Sequence, residues 1–325
     1  MACLADLLKQ YEIFYQIDGT SPIEFKNGIQ IKNHKIYDNN FSLPLSLEDL
    51  RIINRNTSWK SDAKETTEII KKHKIKIVIT DLPAISQEWI SEIRTHSLSV
   101  VFDDMPISKI KADLIINPNN ASDFQSLYST FNGKNILIGQ KFNPVNKSYF
   151  QSQCNPTKQI ERILVYLGSS VSFDTTNKII KSVLNTGKNI EYIGEHSAKL
   201  RQSFGNNKSF IAINFVKYFH NHLKKYDICV GACGVAYWER CHFGIPSLIL
   251  KTAENQQKDI EYLLERGAIR MIESTKIEQS LKETFSEFEK NPKILAELSK
   301  KSFSVVRDSY TVDLSELILS CTNEV

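Results

Sequence analysis

Tyr226-Asp227-Ile228-Cys229-Val230-Gly231-Ala232-Cys233-Gly234-Val235-Ala236-Tyr237-Trp238-Glu239-Arg240-Cys241-His242-Phe243-Gly244-Ile245-Pro246-Ser247-Leu248-Ile249-Leu250 reads as a strand, a Gly-x-x-Gly turn, a short helix, a Gly-Ile-Pro break and a second strand. Both strands are continuous apolar runs, the pattern of strands covered on both faces. A strand, a crossover helix and a second such strand make one unit of a parallel sheet. Upstream the alternation repeats. Ile163 to Leu167 is a predicted strand that turns at Gly168, Asp174 is placed to cap a helix over 175–185, and Ile190–Ile193 and Phe210–Ile213 are further strands. Downstream, Ala268–Met271 completes the sheet, and the chain is helical and charged from Lys276 onward.

The first half carries a second series. Ile13–Ile17, Ile75–Thr80 ending on Asp81, Ser99–Phe102 ending on Asp103 and Asp104, Leu114–Ile116 and Ile136–Ile138 read as strands, with a helix over Ser86–Arg94. Between the series, Gln140 to Gln159 lapses into polar residues around Pro144 and Pro156, the composition of a linker. The expectation is therefore an α/β protein with two Rossmann-like domains. An N-terminal domain covers 1–140, a linker 141–160, a nucleotide-binding domain 161–275 and a helical segment 276–325. At 325 residues the chain exceeds the ~250–300 at which a single core stops growing. No tandem repeat of solenoid period is visible. Doubly wound sheets bind ligands beyond the carboxyl ends of their strands, so two such domains put the natural site in a cleft between them, suited to a nucleotide or nucleotide sugar.

Bulk composition narrows the partners. Apolar residues make up 41% and charged residues 24%, which excludes disorder and fibre. Forty-one Lys and Arg against 37 Asp and Glu leave +4 with no long basic block, so nucleic acid is not an expected partner. No apolar run approaches a membrane span, and Asp6, Lys9 and Gln10 interrupt the first apolar stretch where a signal peptide would lie. Cys3, Cys154, Cys229, Cys233, Cys241 and Cys321 lack paired CxxC spacing, which reads as buried thiols in a cytoplasmic protein rather than a zinc site. Asp103 and Asp104 are neighbours along a strand and point to opposite faces, so they read as a strand-end turn and not a metal site. Neither metal nor cofactor is expected. Glycine is scarce, 12 in all, yet Gly231, Gly234 and Gly244 fall within fourteen residues.

Free N–H groups at a helix start, reached through residues without a Cβ, make an anion site that suits a diphosphate. Glu239 lies about a turn and a half into that helix. Its carboxylate could accept from the two hydroxyls of a ribose. The same spacing also suits glycines that ease tight βα packing and a carboxylate on a helix surface. Asn255 and Gln256, just past the Ser247–Leu250 strand, can donate and accept as sugar hydroxyls require; a capped helix start with solvated amides fits them too.

The run from Asp227 through Ser247, with its Trp-Glu-Arg-Cys and Gly-Ile-Pro-Ser, followed by Asn255-Gln256, resembles the UDP-sugar hydrolases of nonulosonic acid synthesis. These remove UDP from UDP-2,4-diacetamido-2,4,6-trideoxyhexoses on the route to pseudaminic acid and have the two-domain glycosyltransferase-B architecture of the lipid II-forming N-acetylglucosaminyltransferase. Asp81, Val101–Asp104, Ala112–Asn117, Leu137–Gly139, Phe142, Tyr149-Phe150 and Leu164–Gly168 follow the same order, so the likeness covers about residues 1–310. The resemblance implies a UDP site in the second domain. Gly231, Cys233 and Gly234 lie along the diphosphate, Glu239 on the ribose, Asn255 and Gln256 near the sugar and phosphates, and Gly168 with Ser169 on the border of the pocket. A UDP-sugar is the implied small-molecule partner, and other enzymes of the sugar pathway are the implied protein partners.

The chain also departs from that family. Members usually carry a second glycine where Ser169 stands, and a tyrosine where Pro83 stands. They begin with a strand and a Gly-His loop whose histidine is thought to activate water, whereas Leu4–Leu8 already matches the following helix, so the expected start is too late for that loop. His34, His73, His96, His196, His220, His222 and His242 are read as surface or packed residues, because a base must reach its proton within about 3 Å. The implied activity is water attack that releases UDP. A UDP-sugar-dependent glycosyltransferase and a non-catalytic UDP-sugar-binding homologue are the alternatives.

Overall fold

The computed structural model describes residues 14–16, 29–32, 35–37, 59–81, 85–104, 109–119, 122–133, 135–145, 147–150, 152–168, 171–216, 219–307 and 314–320. The chain divides into two compact units, Met1–Asn146 with Val312–Val325, and Lys147–Thr311.

In the first unit β1 (Phe14–Gln16), β2 (Ile29–Lys32) and β3 (Lys35–Tyr37) form a small sheet of their own, β1 parallel and β3 antiparallel to β2. The Ile13–Ile17 strand thus belongs there and not to the main parallel sheet. That sheet follows from α1 (Trp59–His73), β4 (Ile77–Asp81), α2 (Gln87–Arg94), β5 (Leu98–Phe102), β6 (Ile110–Ala112), β7 (Leu114–Asn117), β8 (Tyr128–Thr130) and β9 (Ile136–Ile138). Its order is β4-β5-β7-β9, parallel throughout, and β6 and β8 pair separately. Alternation divides its apolar residues between two faces. Val101 and Ile115 pack under Trp89, Ile90 and Ile93 of α2, while Val100, Phe102, Leu114 and Ile116 face the other way. Helix α2 starts where the Ser86 hydroxyl accepts from Trp89 N–H at 3.1 Å.

The second unit runs β10 (Arg162–Tyr166), α3 (Phe173–Leu184), β11 (Asn189–Ile193), α4 (Ser197–Phe204), β12 (Phe210–Ile213), α5 (Phe219–Leu223), β13 (Ile228–Gly231), α6 (Val235–Cys241), β14 (Ser247–Ile249), α7 (Gln257–Glu265), β15 (Arg270–Met271), α8 (Ile277–Lys290) and α9 (Pro292–Arg307). All six strands are parallel, in the order β12-β11-β10-β13-β14-β15. The cap of α3 is not Asp174. The helix opens two residues earlier, because the Ser172 hydroxyl accepts from Thr175 N–H at 3.2 Å and leaves Asp174 in the first turn. Asp227 fastens the sheet at its other end: one carboxylate oxygen accepts from the N–H groups of Glu161 and Arg162, each at 2.8 Å. Ile163, Val165, Ile228 and Val230 lie in one continuous core with Ile179 and Ile180 of α3 and Leu281 of α8. Each such side chain contributes about 1.5–3 kcal/mol by leaving water.

The helical C-terminal stretch serves both units. Helices α8 and α9 pack on the second unit, whereas α10 (Leu314–Ser320) sends Leu314 and Ile318 into the first, against Val100, Phe102, Leu114 and Ile116.

Candidate functional site

The strand order of the second unit locates its site. From β10 the chain steps outward through β11 and β12, then returns to the other side of β10 for β13, β14 and β15. At the β10–β13 pair the connections leave in opposite directions, and the carboxyl ends at such a switch point are where doubly wound sheets bind ligands. Tyr166 and Gly231 are the last paired residues there. Gly168 follows β10, Ala232–Gly234 follow β13 and 251–256 follow β14, so these segments share one rim.

The glycines on this rim have different causes. A Cβ on Gly231 would come 2.5 Å from the Tyr166 carbonyl oxygen and 3.3 Å from Arg240 Nη2, so this residue is glycine because the two strands and the guanidinium close on it. Gly168 has φ +75°, and a Cβ there would meet nothing within 4 Å. Gly234, exposed at the head of α6, likewise faces open space. The Cys233 side chain is buried, and burial pushes its thiol well above the ordinary value, so toward the rim this residue offers its backbone. Gly244 belongs to the other end of α6. At φ +62° it terminates the helix, with Gly244 N–H donating to Cys241 O at 2.8 Å and Ile245 N–H to Arg240 O at 3.2 Å.

Three polar side chains of α6 and its C-terminus are buried. Glu239 is 8% exposed and accepts from the Tyr149 hydroxyl. Burial raises its pKa to about 7, against the opposing influence of Tyr149 and of the neighbouring Arg240 charge. Arg240 is 0% exposed. It donates through Nη2 to Ala232 O at 2.9 Å and through Nε to the Ser247 hydroxyl at 3.3 Å, clamping the turn after β13 to the start of β14. His242 packs its ring 5.4 Å from Phe150 and 6.1 Å from Tyr149, and burial lowers its pKa to about 4. It is a neutral packed residue at physiological pH.

Beyond β14, Gln256 folds back on Thr252. Its Oε1 accepts from Thr252 N–H at 3.1 Å, and its Nε2 donates to Thr252 Oγ1 at 3.0 Å. That amide therefore shapes the loop itself. Asn255 stands half-buried in the 3-10 turn Glu254–Gln256. At the end of β11, His196 donates its Nε2–H to Val171 O at 2.8 Å and so ties the segment after Gly168 to the sheet. His222 bonds Glu191 at 2.6 Å. Ser169, Pro83, Leu4–Leu8 and His34 lie outside the described residues. Among the described residues no group of three His, Cys, Asp or Glu is placed to hold a metal, and no helix is long and apolar enough to cross a membrane. Cys154, Cys229, Cys233 and Cys241 are free thiols, and Cys3 and Cys321 lie outside the described residues.

Sequence reasoning missed two of these groups. Tyr149 lies ninety residues before Glu239; the sequence places it in the linker and in the order of the resembled family, but nothing in it shows that its hydroxyl reaches Glu239. Arg240 reads as the basic residue of a helix surface, and only its burial shows that it braces the turn.

No protein-family model matches the chain, and no curated protein matches it. Solved structures do resemble it in fold. The S. aureus MnaA–UDP co-structure matches with TM-score 0.62 and 15% identity over 98% of this chain and 91% of that one. The UDP-GlcNAc 2-epimerase from Neisseria meningitidis bound to UDP-GlcNAc matches with TM-score 0.57 and 11% identity over 86% and 87%. Acinetobacter baumannii MurG matches with TM-score 0.54 and 12% identity over 82% and 78%. The fold is of the glycosyltransferase-B type, α/β with parallel sheets flanked by helices.

Proposed function

We propose that the chain binds a UDP-sugar, with the diphosphate on the rim between β10 and β13 and the ribose hydroxyls on Glu239. The observation that carries this reading is the switch point itself. Its two flanking turns, at Gly168 and Gly234, leave space where a Cβ would stand, and a buried carboxylate follows on the helix between β13 and β14. A carboxylate held out of water gains most from ligand hydroxyls that can replace its lost hydration. Backbone groups of Gly231, Cys233 and Gly234 border the diphosphate in this reading, and Asn255 lies toward the sugar. Two of the structures that share the fold hold UDP or UDP-GlcNAc, which supports the ligand class. The nucleotide-sugar-binding domain is assigned to 161–275.

The reaction we assign is hydrolysis. Water attacks the linkage between sugar and diphosphate: if its oxygen bonds to the sugar carbon, the C–O bond breaks and UDP leaves; if it bonds to the β-phosphorus, the P–O bond breaks and the sugar oxygen leaves, taking up a proton; either way the products are UDP and the free sugar. The substrate is a UDP-2,4-diacetamido-2,4,6-trideoxyhexose of nonulosonic acid synthesis, and the enzyme works in the cytoplasm beside others of that pathway. The residue resemblance around Trp238–Cys241 and Gly244–Ser247 supports this assignment. The fold likeness to UDP-GlcNAc 2-epimerase favours a second reading, in which the same donor site serves epimerisation or transfer.

Calorimetry with UDP, UMP and uridine tests the site. Binding is expected in the order UDP, UMP, uridine, and Glu239→Ala weakens all three by roughly ten- to a hundredfold, the loss of hydrogen bonds to a charged group. Unchanged affinity in the variant sinks the assignment. Incubation with the diacetamido UDP-sugar then separates the reactions. Free sugar with UDP supports hydrolysis, a C2 epimer supports the second reading, and tight binding without turnover leaves a binding protein.

A further inference from the structure

The first unit holds a cavity of ≈ 590 Å³ at the amino ends of β4 and β5, the opposite end of that sheet from Asp81. Its apolar lining comes from Ile70, Ile75 and Leu98. Four cations from three elements stand around it: Lys71 and Lys74 at the end of α1, Lys76 at the entry to β4 and Arg94 in the last turn of α2. Arg94 Nε pairs with Asp113 at 2.8 Å, and Asp113 is in turn held by Ser99 N–H at 2.9 Å. The side chains of Lys71, Lys74 and Lys76 make no ion pair or hydrogen bond among the described residues, and Lys76 is bonded there only through its carbonyl, which accepts from Leu98 N–H at 2.8 Å.

Basic residues in a last helical turn offset the helix dipole, and that would account for Lys71 and Lys74 alone. It does not account for Lys76, which lies past the helix, or for the convergence of a second helix end on the same cavity. Four positive charges less Asp113, and less about half a charge at each of the two helix C-termini, leave roughly two positive charges.

Lys74 adds an independent sign. It has φ +52°, the only non-glycine residue with positive φ among the described residues. Ile75 N–H donates to Ile70 O at 3.0 Å, closing α1 in the motif whose left-handed position usually belongs to glycine. A lysine occupies a backbone position where it is strained, and its side chain lines the cavity. The Ile70–Ile75 contact that accompanies the motif supplies part of the apolar floor.

We propose that this cavity binds a small phosphomonoester dianion with an apolar body. Its volume lies within the ~300–1,000 Å³ of small-molecule sites. Three ammonium groups with no ion pair among the described residues act as point charges that suit phosphate. The planar fork that would favour a carboxylate is already engaged with Asp113. This inference is independent of the nucleotide site in the other unit.

Calorimetry with n-hexyl phosphate and inorganic phosphate tests it. Hexyl phosphate binds about tenfold tighter than inorganic phosphate, because its chain covers Ile75 and Leu98. Lys74→Gly weakens hexyl phosphate by roughly fivefold or more through loss of one charge-assisted contact, while its melting temperature stays equal or rises as the strain is relieved. Lys64→Ala removes the same charge from α1 outside the cavity and leaves the affinity unchanged. The proposal is overturned if Lys74→Gly binds as tightly as wild type or if Lys64→Ala loses as much. It is also overturned if phosphatidic acid vesicles bind while hexyl phosphate does not, which would make the surface a lipid contact.

Discussion

Glu239→Gln tests the electrostatics of the proposed nucleotide site without a ligand. The glutamine keeps the acceptor that Tyr149 uses and has nearly the same volume, so the change removes a titration and little packing. In the folded protein burial holds the Glu239 pKa at about 7, against an ordinary 4.5. A gap of about 2.5 units corresponds to roughly 3 kcal/mol at 1.36 kcal/mol per unit. The sign follows from proton counting. Between pH 4.5 and 7 the folded state holds the proton that the unfolded state has released, so the contribution of Glu239 to stability falls as pH rises through this window and is constant outside it. The glutamine variant has no such term. Wild type and variant should be nearly equal at pH 4.5, and the variant should be more stable by up to roughly 3 kcal/mol at pH 8. Urea unfolding of both proteins at half-unit pH intervals measures the difference. Ribose hydroxyls that donate to the carboxylate stabilise its charged form, so UDP binding at pH 6.5 should also release protons, seen as a dependence of binding heat on buffer ionisation enthalpy. A stability difference that stays constant from pH 4.5 to 8 would refute the reasoning, because it would mean that Glu239 is solvated.

His242 titrates in the opposite sense. Burial lowers its folded pKa to about 4 from 6.5, so the stability that depends on its neutral form is lost as pH falls from 6.5 to 4; relative to His242→Gln, wild type should lose up to roughly 3 kcal/mol over that window in the same urea series. Gly244→Ala should destabilise the protein by roughly 2–4 kcal/mol, since φ is +62° and the new methyl would lie 2.5 Å from Cys154 Sγ. Gly234→Ala, with φ −105° and open space around it, should cost no more than about 1 kcal/mol, the preference for Gly over Ala at an N-cap, and should weaken UDP as well. Melting temperatures and calorimetry on the pair separate the two roles.

The parallel sheets were legible because strands buried on both faces must be apolar at consecutive positions. Ile228–Gly231 is buried at every residue, and its shortness, its β-branched Ile228 and Val230 and the glycine that ends it separate it from a buried helix. Lone short strands are different. The alternation Ile29-Gln30-Ile31-Lys32 is weak, so β2 and β3 were not expected and β1 was assigned to the wrong sheet. Caps are ambiguous for another reason: Ser172 and Asp174 are both good acceptors, and only the geometry of Thr175 N–H chooses between them. The destination of α10 could not be read at all. A helical period shows that Leu314 and Ile318 share a face, but the core that receives it lies about two hundred residues upstream. Tyr149 on Glu239 is hidden in the same way, as a contact between segments that local pattern does not link.

The glycine cluster shows how composition misleads and what geometry then adds. Gly231, Gly234 and Gly244 fall within fourteen residues, and their crowding suggested a single phosphate cradle. Gly231 is instead demanded by the Tyr166 carbonyl and the Arg240 guanidinium, and Gly244 by a left-handed helix end packed on Cys154. Both would be glycine in a protein that binds nothing. Gly234 is not forced in this way, since its φ of −105° suits any residue and no atom stands near the position of a Cβ; its structural use is as the N-cap of α6, where Gly is one of several favoured residues. Gly168, across the switch point, needs its glycine for φ +75° but faces open space too. Gly234 and the buried Glu239 carboxylate thus flank the switch point as two separate local signs of a ligand. If Gly234→Ala leaves UDP affinity unchanged, the turn is not part of the diphosphate site, and the carboxylate with the strand order alone carries the ligand reading.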